Sequence, residues 1–178
     1  MKKFLVMLTA VLVILATGCG SSSNVTPEEF ARRYNANLAE FKGLDYNKLK
    51  IGGFNFNEDT VVFYGKSSEP EQLMRELMNA DFVLTAKIDP ASKKIRQLNV
   101  GTNFMKTSKT FLVVYAIASH SLDSGEKISE NEGVELIKFF QGLLPDKSGT
   151  NKKTFNGKTY SLTVDTSEGS ARLTIDND

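Results

Sequence analysis

Residues 153–164 read KTFNGKTYSLTV, and Asn156-Gly157 at their centre decides how the C-terminal third folds. A two-residue hairpin turn of the primed type needs positive φ at both central positions, which Asn and Gly tolerate best. The flanks, Lys153-Thr154-Phe155 and Lys158 to Val164, are rich in β-branched and aromatic residues. Asp165 to Ser170 then turns the chain into Ala171 to Ile175, so the spacing predicts a three-stranded antiparallel meander.

Two further hairpins precede it. Ile51, Phe54 and Phe56 lead into Asn57-Glu58-Asp59, and Thr60 to Tyr64 returns until Gly65 ends the strand. Asp81 to Ile88 and Lys94 to Val100 pair across Asp89-Pro90-Ala91-Ser92, a turn-forming run. Between these hairpins, Ser68-Glu69-Pro70-Glu71 starts a short helix with Leu73, Met74, Leu77 and Met78 on one face. Core filling accounts for those methionines better than a plastic binding surface does.

Helices open both halves. Thr26-Pro27-Glu28-Glu29 places an N-cap, a proline at the first helical position and a capping-box glutamate in order. The helix is expected over 27–42, with Phe30, Tyr34, Leu38 and Phe41 as its apolar stripe, Val25 and Phe30 as a staple, and Gly43 as its stop. Arg32 and Arg33 lie off that stripe and are read as solvated. The second half begins with Phe104 to Leu122, an apolar helical segment with few charges that is read as central and buried. Asp123-Ser124-Gly125 forms a turn, and Ser129-Glu130-Asn131-Glu132 is a second capping box. The last helix carries Val134, Ile137, Phe140 and Leu144 and ends near Pro145.

The resulting order is α-β-β-(α)-β-β-α-α-β-β-β. It predicts an α+β fold: a mainly antiparallel sheet with helices packed on one face, built from two related α+β units that share the sheet. No residue-level repeat accompanies that topological symmetry. In element order the second half resembles small envelope-assembly lipoproteins and the tandem units of β-lactamase inhibitor proteins. No motif is shared, and element order alone carries no function.

The N-terminus is of a different kind. Met1-Lys2-Lys3 is basic, Phe4 to Ala16 is uncharged and apolar, and Leu15-Ala16-Thr17-Gly18 leads into Cys19, the single cysteine. As a helix, the apolar run would rise only roughly 20 Å, short of a hydrocarbon core of about 30 Å. This arrangement resembles the lipobox signal of bacterial lipoprotein precursors, with Ala16 in the slot where the commonest form has leucine. The resemblance implies cleavage before Cys19, a thioether-linked diacylglyceryl group on that residue, and an acylated amino terminus carrying a chain such as palmitate. Two or three acyl chains hold a protein almost permanently where one holds it marginally. The same residues also fit an ordinary secretory peptide cut nearby, leaving a free or intermolecularly paired thiol, and a retained anchor helix.

The division expected is therefore a signal peptide at 1–18, lipidated Cys19 and a flexible tether at 19–25, and one α+β domain at 26–178. The resemblance implies a cell-envelope protein, extracytoplasmic and anchored to a bacterial membrane; Gly20 is not the aspartate associated with inner-membrane retention in some Gram-negative bacteria, which bears only on hosts with two membranes, so inner or outer membrane is left open. The chain has 22 Lys+Arg against 21 Asp+Glu; losing Lys2 and Lys3 with the leader leaves 20 against 21. That balance gives no electrostatic footprint for nucleic acid. About 160 mature residues suffice for a core without disulfides.

Candidate chemistry is sparse. His120 is the only histidine; a general base needs an oriented partner, and none is legible, so a structural role at a helix end is expected. Ser124 and Lys127 match S-x-x-K without its companion motifs. Gly157-Lys158-Thr159 resembles the end of a phosphate loop, but Lys152 stands where the first glycine is required and the setting is a hairpin. The acidic clusters Asn57-Glu58-Asp59 and Asp176-Asn177-Asp178 lack the glycine and distal glutamate of a calcium loop, and Asn24-Val25-Thr26 is an acceptor sequon irrelevant to a bacterial protein.

No cofactor or metal site is read from these residues. Three functions compete: a noncatalytic protein-binding or envelope-assembly module, a small-ligand or solute-binding lipoprotein with an aromatic-lined pocket between sheet and helices, and a hydrolase built around His120. They rank in that order. An exposed apolar patch would mark the first, a cavity of roughly 300 Å³ or more the second, and a cleft bringing His120 to Ser, Asp or Glu the third.

Overall fold

The structure, a computed structural model, describes residues 25–65, 81–103 and 110–177. The N-terminal leader with Cys19, the expected helix from Ser68, and residues 104–109 lie outside the described residues.

Helix α1 is Pro27–Leu38, and the Thr26 side chain accepts the Glu29 backbone N–H at 3.3 Å. Only half of the expected capping box forms. The Glu29 carboxylate turns to the Arg32 and Arg33 guanidinium groups instead, at 2.7 and 2.8 Å, because charge-assisted bonds to arginine are stronger than one to a backbone amide. Arg32 is exposed, whereas Arg33 is half-buried. The helix also ends four residues earlier than expected. The Glu40 and Phe41 amides reach the carbonyls of Asn37 and Leu38, three residues back, which tightens the turn and unwinds the helix before Gly43. Phe30, Tyr34 and Leu38 are buried as the stripe predicts. Asp45 then caps a single helical turn, α2 (Tyr46–Leu49), that the sequence pattern did not announce.

The strands are β1 (Gly53–Asn57), β2 (Thr60–Tyr64), β3 (Phe82–Ile88), β4 (Ile95–Asn103), β5 (Gly149–Phe155), β6 (Lys158–Asp165) and β7 (Ser170–Asp176). They form one seven-stranded sheet in the order β1-β2-β3-β4-β7-β6-β5, every neighbour antiparallel. The expected fold class and element order are met. Two meanders, one from each half of the chain, join through their last strands, with Leu98 opposite Ile175 and Val100 opposite Leu173.

Side chains alternate between faces with a period of two. Val61, Phe63, Leu84, Ala86, Leu98, Val100, Tyr160, Leu162, Leu173 and Ile175 point into the core beneath the helices. Helix α3 (Phe111–Asp123) lies at the centre of that layer, packed between α1 and α4 (Glu130–Gln141), and Val114 through Leu122 are all buried. The second capping box is complete: Ser129 receives the Glu132 amide and Glu132 returns to the Ser129 amide. The α4 stripe is rotated from expectation. Val134 is 44% exposed, while Phe140 and Leu143 are buried. Gly133, not Val134, faces Phe41, and a Cβ there would meet the Phe41 ring at 3.3 Å. The small residue lets α4 start close against the chain that follows α1.

Aromatic rings dominate the core in place of tryptophan. Phe111, Tyr115, Phe140, Tyr160 and Phe139 form a chain of ring contacts at 5.2 to 6.0 Å, mostly edge-on, as ring quadrupoles favour.

Candidate functional site

The residues marked for chemistry by the sequence are not assembled into a reacting site. His120, near the end of α3, is 7% exposed, and its Nε2 lies 3.1 Å from the Glu126 carbonyl oxygen. The ring donates there and ties the helix end to the turn before α4. Ser124 Oγ accepts the Glu126 amide, and Lys127 pairs with Glu40, so the S-x-x-K residues take separate partners. Among the described residues no three His, Cys, Asp or Glu side chains converge on one point. Glu58 sits in an exposed turn, and Asp176 accepts a hydrogen bond from Gln97.

Buried polar groups cluster instead around the C-terminal half of α3. Ser119 Oγ and Tyr160 Oη are 3.0 Å apart, and burial pushes the Tyr160 phenol up to about 12. Lys158, 5% exposed, forms an ion pair with Asp123. Its ammonium is held below the usual lysine range because desolvation outweighs the attraction of Asp123. Nothing in the local pattern signals that burial: Lys158 follows the Asn156-Gly157 turn on the core face of β6, opposite Phe155. The helix carbonyl end and Asp123 together make a place for a cation there. The buried Tyr34 hydroxyl has no hydrogen-bond partner among the described residues.

Among the described residues, no helix covers the other face of the sheet. That face holds a depression of about 830 Å³ lined by Val83 and Thr85 of β3, Asn99 and Gly101 of β4, Thr163 of β6 and Arg172 of β7, among others. Strand alternation makes this face polar: each of these positions is one residue away from a core position. A chain of hydrogen bonds runs across this face through Asn99 and Gln97, which line the depression. Thr174 Oγ1 donates to Asn99 Oδ1 at 2.9 Å, Asn99 Nδ2 to Gln97 Oε1 at 3.3 Å, and Gln97 Nε2 to Asp176 Oδ1 at 2.6 Å. The chain crosses the β4–β7 seam and so belongs to both halves of the molecule. Gly101 leaves a notch beside Arg172, since a Cβ there would meet only the Val83 carbonyl oxygen, at 3.8 Å.

The depression lies on the face opposite to the one where an aromatic-lined pocket was expected, and among the described residues no Phe or Tyr lines it; Phe30, Tyr34, Phe63, Tyr115 and Phe140 are packed in the core. Among the described residues the large apolar side chains that are exposed, Tyr46, Phe56, Val134 and Phe155, are spread over α2, β1, α4 and β5 and do not make one apolar patch. No helix among the described residues is long and apolar enough to cross a membrane.

Fold and surface together define an α+β protein with a helix-covered face and an open polar face. In comparisons with known proteins the chain matches no family model, no curated protein and no solved structure.

Proposed function

We propose that this chain is an extracytoplasmic lipoprotein, anchored to a bacterial membrane through lipid on Cys19, whose α+β domain is a noncatalytic protein-binding or envelope-assembly module acting through the helix-free face of its sheet. The observation that carries the binding reading is the polar depression spanning the β4–β7 seam. Its hydrogen-bonded floor offers donors and acceptors in a fixed array, which costs little ordering when a partner docks. The anchor reading rests on the ordered series of basic start, apolar run and small residues before Cys19. The buried His120, bonded to a carbonyl, argues against the hydrolase reading, and the aromatic packing beneath the sheet argues against a solute pocket there.

Two measurements on the full chain in its host test the proposal. Labelled palmitate is expected to enter the wild-type protein and not Cys19→Ala, which should leave the membrane fraction; equal labelling of both would overturn the anchor. A photo-crosslinking residue at Thr85 or Thr163 is expected to give a discrete protein adduct, and one at Glu135 on α4 is not. Adducts from Glu135 alone would move the binding surface to the helices.

A further inference from the structure

We propose that the sheet-face depression receives an acidic segment of the partner protein, whose carboxylates meet Arg172 and Lys87; the inference rests on the reading that this face is the binding surface. Four charged side chains line the depression: Asp81, Lys87, Asp165 and Arg172. Both acids are engaged within the fold. Asp81 pairs with Lys48 at 2.5 Å. The Asp165 carboxylate accepts from the Ser167 amide and hydroxyl and from the Glu168 amide, at 2.9, 2.6 and 3.3 Å, so it is directed to the β6–β7 turn. The two cations are exposed and form no ion pair among the described residues. Across the strands Arg172 faces Gly101 and Thr163, and Lys87 faces Gln97 and Thr60, all uncharged. Asp176, beside the depression, likewise accepts from Gln97, so Lys87 and Arg172 are the charged groups there that no described side chain engages.

Geometry selects an extended peptide over a small anion. Arg172 and Lys87 are separated by two strand spacings and four residues of register, which places their Cα atoms roughly 17 Å apart at ~4.8 Å per strand and ~3.4 Å per residue. With both side chains standing off the sheet, one carboxylate does not meet both, whereas a stretch of about five or six extended residues does. Between the cations, the amides of Asn99 and Gln97 lie where they can meet peptide N–H and C=O groups. Among the described residues, the depression has no aromatic ring on which a sugar would stack and no aliphatic strip for an acyl chain. The Gly101 notch beside Arg172 gives a carboxylate room to approach the guanidinium, which holds such groups bidentately.

The test uses the detergent-solubilised full chain with a fluorescent hexaglutamate peptide as probe, and the partner adduct from Thr163 as a second readout. Hexaglutamate is expected to bind, to weaken as salt rises, and to compete with the adduct. Hexaglutamine and free glutamate are expected to do neither. Arg172→Gln and Lys87→Gln should each weaken binding about tenfold, the loss of one charge-assisted contact. Gly101→Leu, which fills the notch in open space, should weaken it similarly, while Lys138→Gln on α4 should have no effect. Thermal melts of each variant show whether it is folded. An adduct that forms from Thr163 but is indifferent to hexaglutamate, Arg172→Gln and Lys87→Gln overturns the acidic-segment inference and leaves the binding face standing. Equal competition by free glutamate, or capture by phosphatidylglycerol vesicles in place of the peptide, overturns it in favour of a small anion or a lipid surface. Absence of any sheet-face adduct removes the reading on which it rests.

Discussion

Asn37 Nδ2 donates to Ser121 Oγ at 3.0 Å in the interior of the helix layer, where Asn37 is 1% exposed and Ser121 fully buried. The same amide accepts the Ile128 N–H through Oδ1 at 2.8 Å, and the Ser121 hydroxyl donates to the Ile117 carbonyl oxygen at 2.6 Å. One side chain thus ties α1 to α3 and to the chain entering α4. Asn37→Leu leaves the Ile128 amide buried without a partner, and is expected to cost about 2–3 kcal/mol in urea denaturation. Asn37→Asp keeps the acceptor but buries a charge, so its deficit at neutral pH should exceed that of the leucine variant and shrink in mild acid.

Lys158 and Asp123 should respond unequally to removal. Asp123 keeps about a third of its side chain exposed (33%) and can be hydrated once alone, so Lys158→Met is expected to stay within about 1 kcal/mol of wild type. Asp123→Ala strands a buried ammonium and should cost about 3 kcal/mol. Equal losses in denaturant titrations would show that the pair acts through attraction rather than through compensation of burial.

Glu29 gives the fold an acid-sensitive component. Hydrogen bonds from Arg32, then Arg33, pull its carboxyl down to about 2 from an ordinary 4.5. A depressed folded value means that the contribution is present above the unfolded pKa and is lost as pH falls from about 4.5 toward 2. Glu29→Gln should flatten the melting-temperature profile in that window and change it little at neutral pH beyond a salt-sensitive offset.

Gly157 adopts φ of +78° after Asn156 at +50°, the two positive values the hairpin demands. No atom lies within 4 Å of a Cβ built there, so Gly157→Ala tests backbone conformation without a clash. It should cost about 1–2 kcal/mol in equilibrium unfolding while the circular dichroism of the folded protein stays the same.

Strand β5 is an edge with all seven residues exposed. Lys152 and Lys153 place charge on its two faces, a device that discourages pairing with another copy. The double variant Lys152→Val/Lys153→Val is expected to scatter light in a concentration-dependent way at temperatures where the wild type does not. Unchanged scattering would show that the edge is guarded by something other than these charges.

Several features were legible from neighbouring residues alone, although the Asp45-capped turn α2 and the early end of α1 at Leu38 were not. The Asn156-Gly157 turn, the Thr26 cap, the Ser129-Glu132 box and, to within one residue, the limits of β3 and β6 depend on interactions within a few residues, so their chemistry is written in consecutive positions. Errors began where a second partner competed. Glu29 had the cap as one choice and two arginines as another, and Val134 lost its expected place because Phe41, brought in by the fold, left room only for Gly133.

The sequence by itself determined the α+β class, the element order and the existence of two unlike strand faces, since period-two alternation and capping chemistry are local. The tertiary structure alone decided that β4 joins β7, that Lys158 is buried against Asp123, and that Gln97, Asn99, Gly101 and Arg172 share one depression. The physical reason is that strand pairing is a hydrogen-bonding choice between backbones distant in the chain. Alternation shows that a polar face exists, and only the chosen pairing places its side chains next to one another.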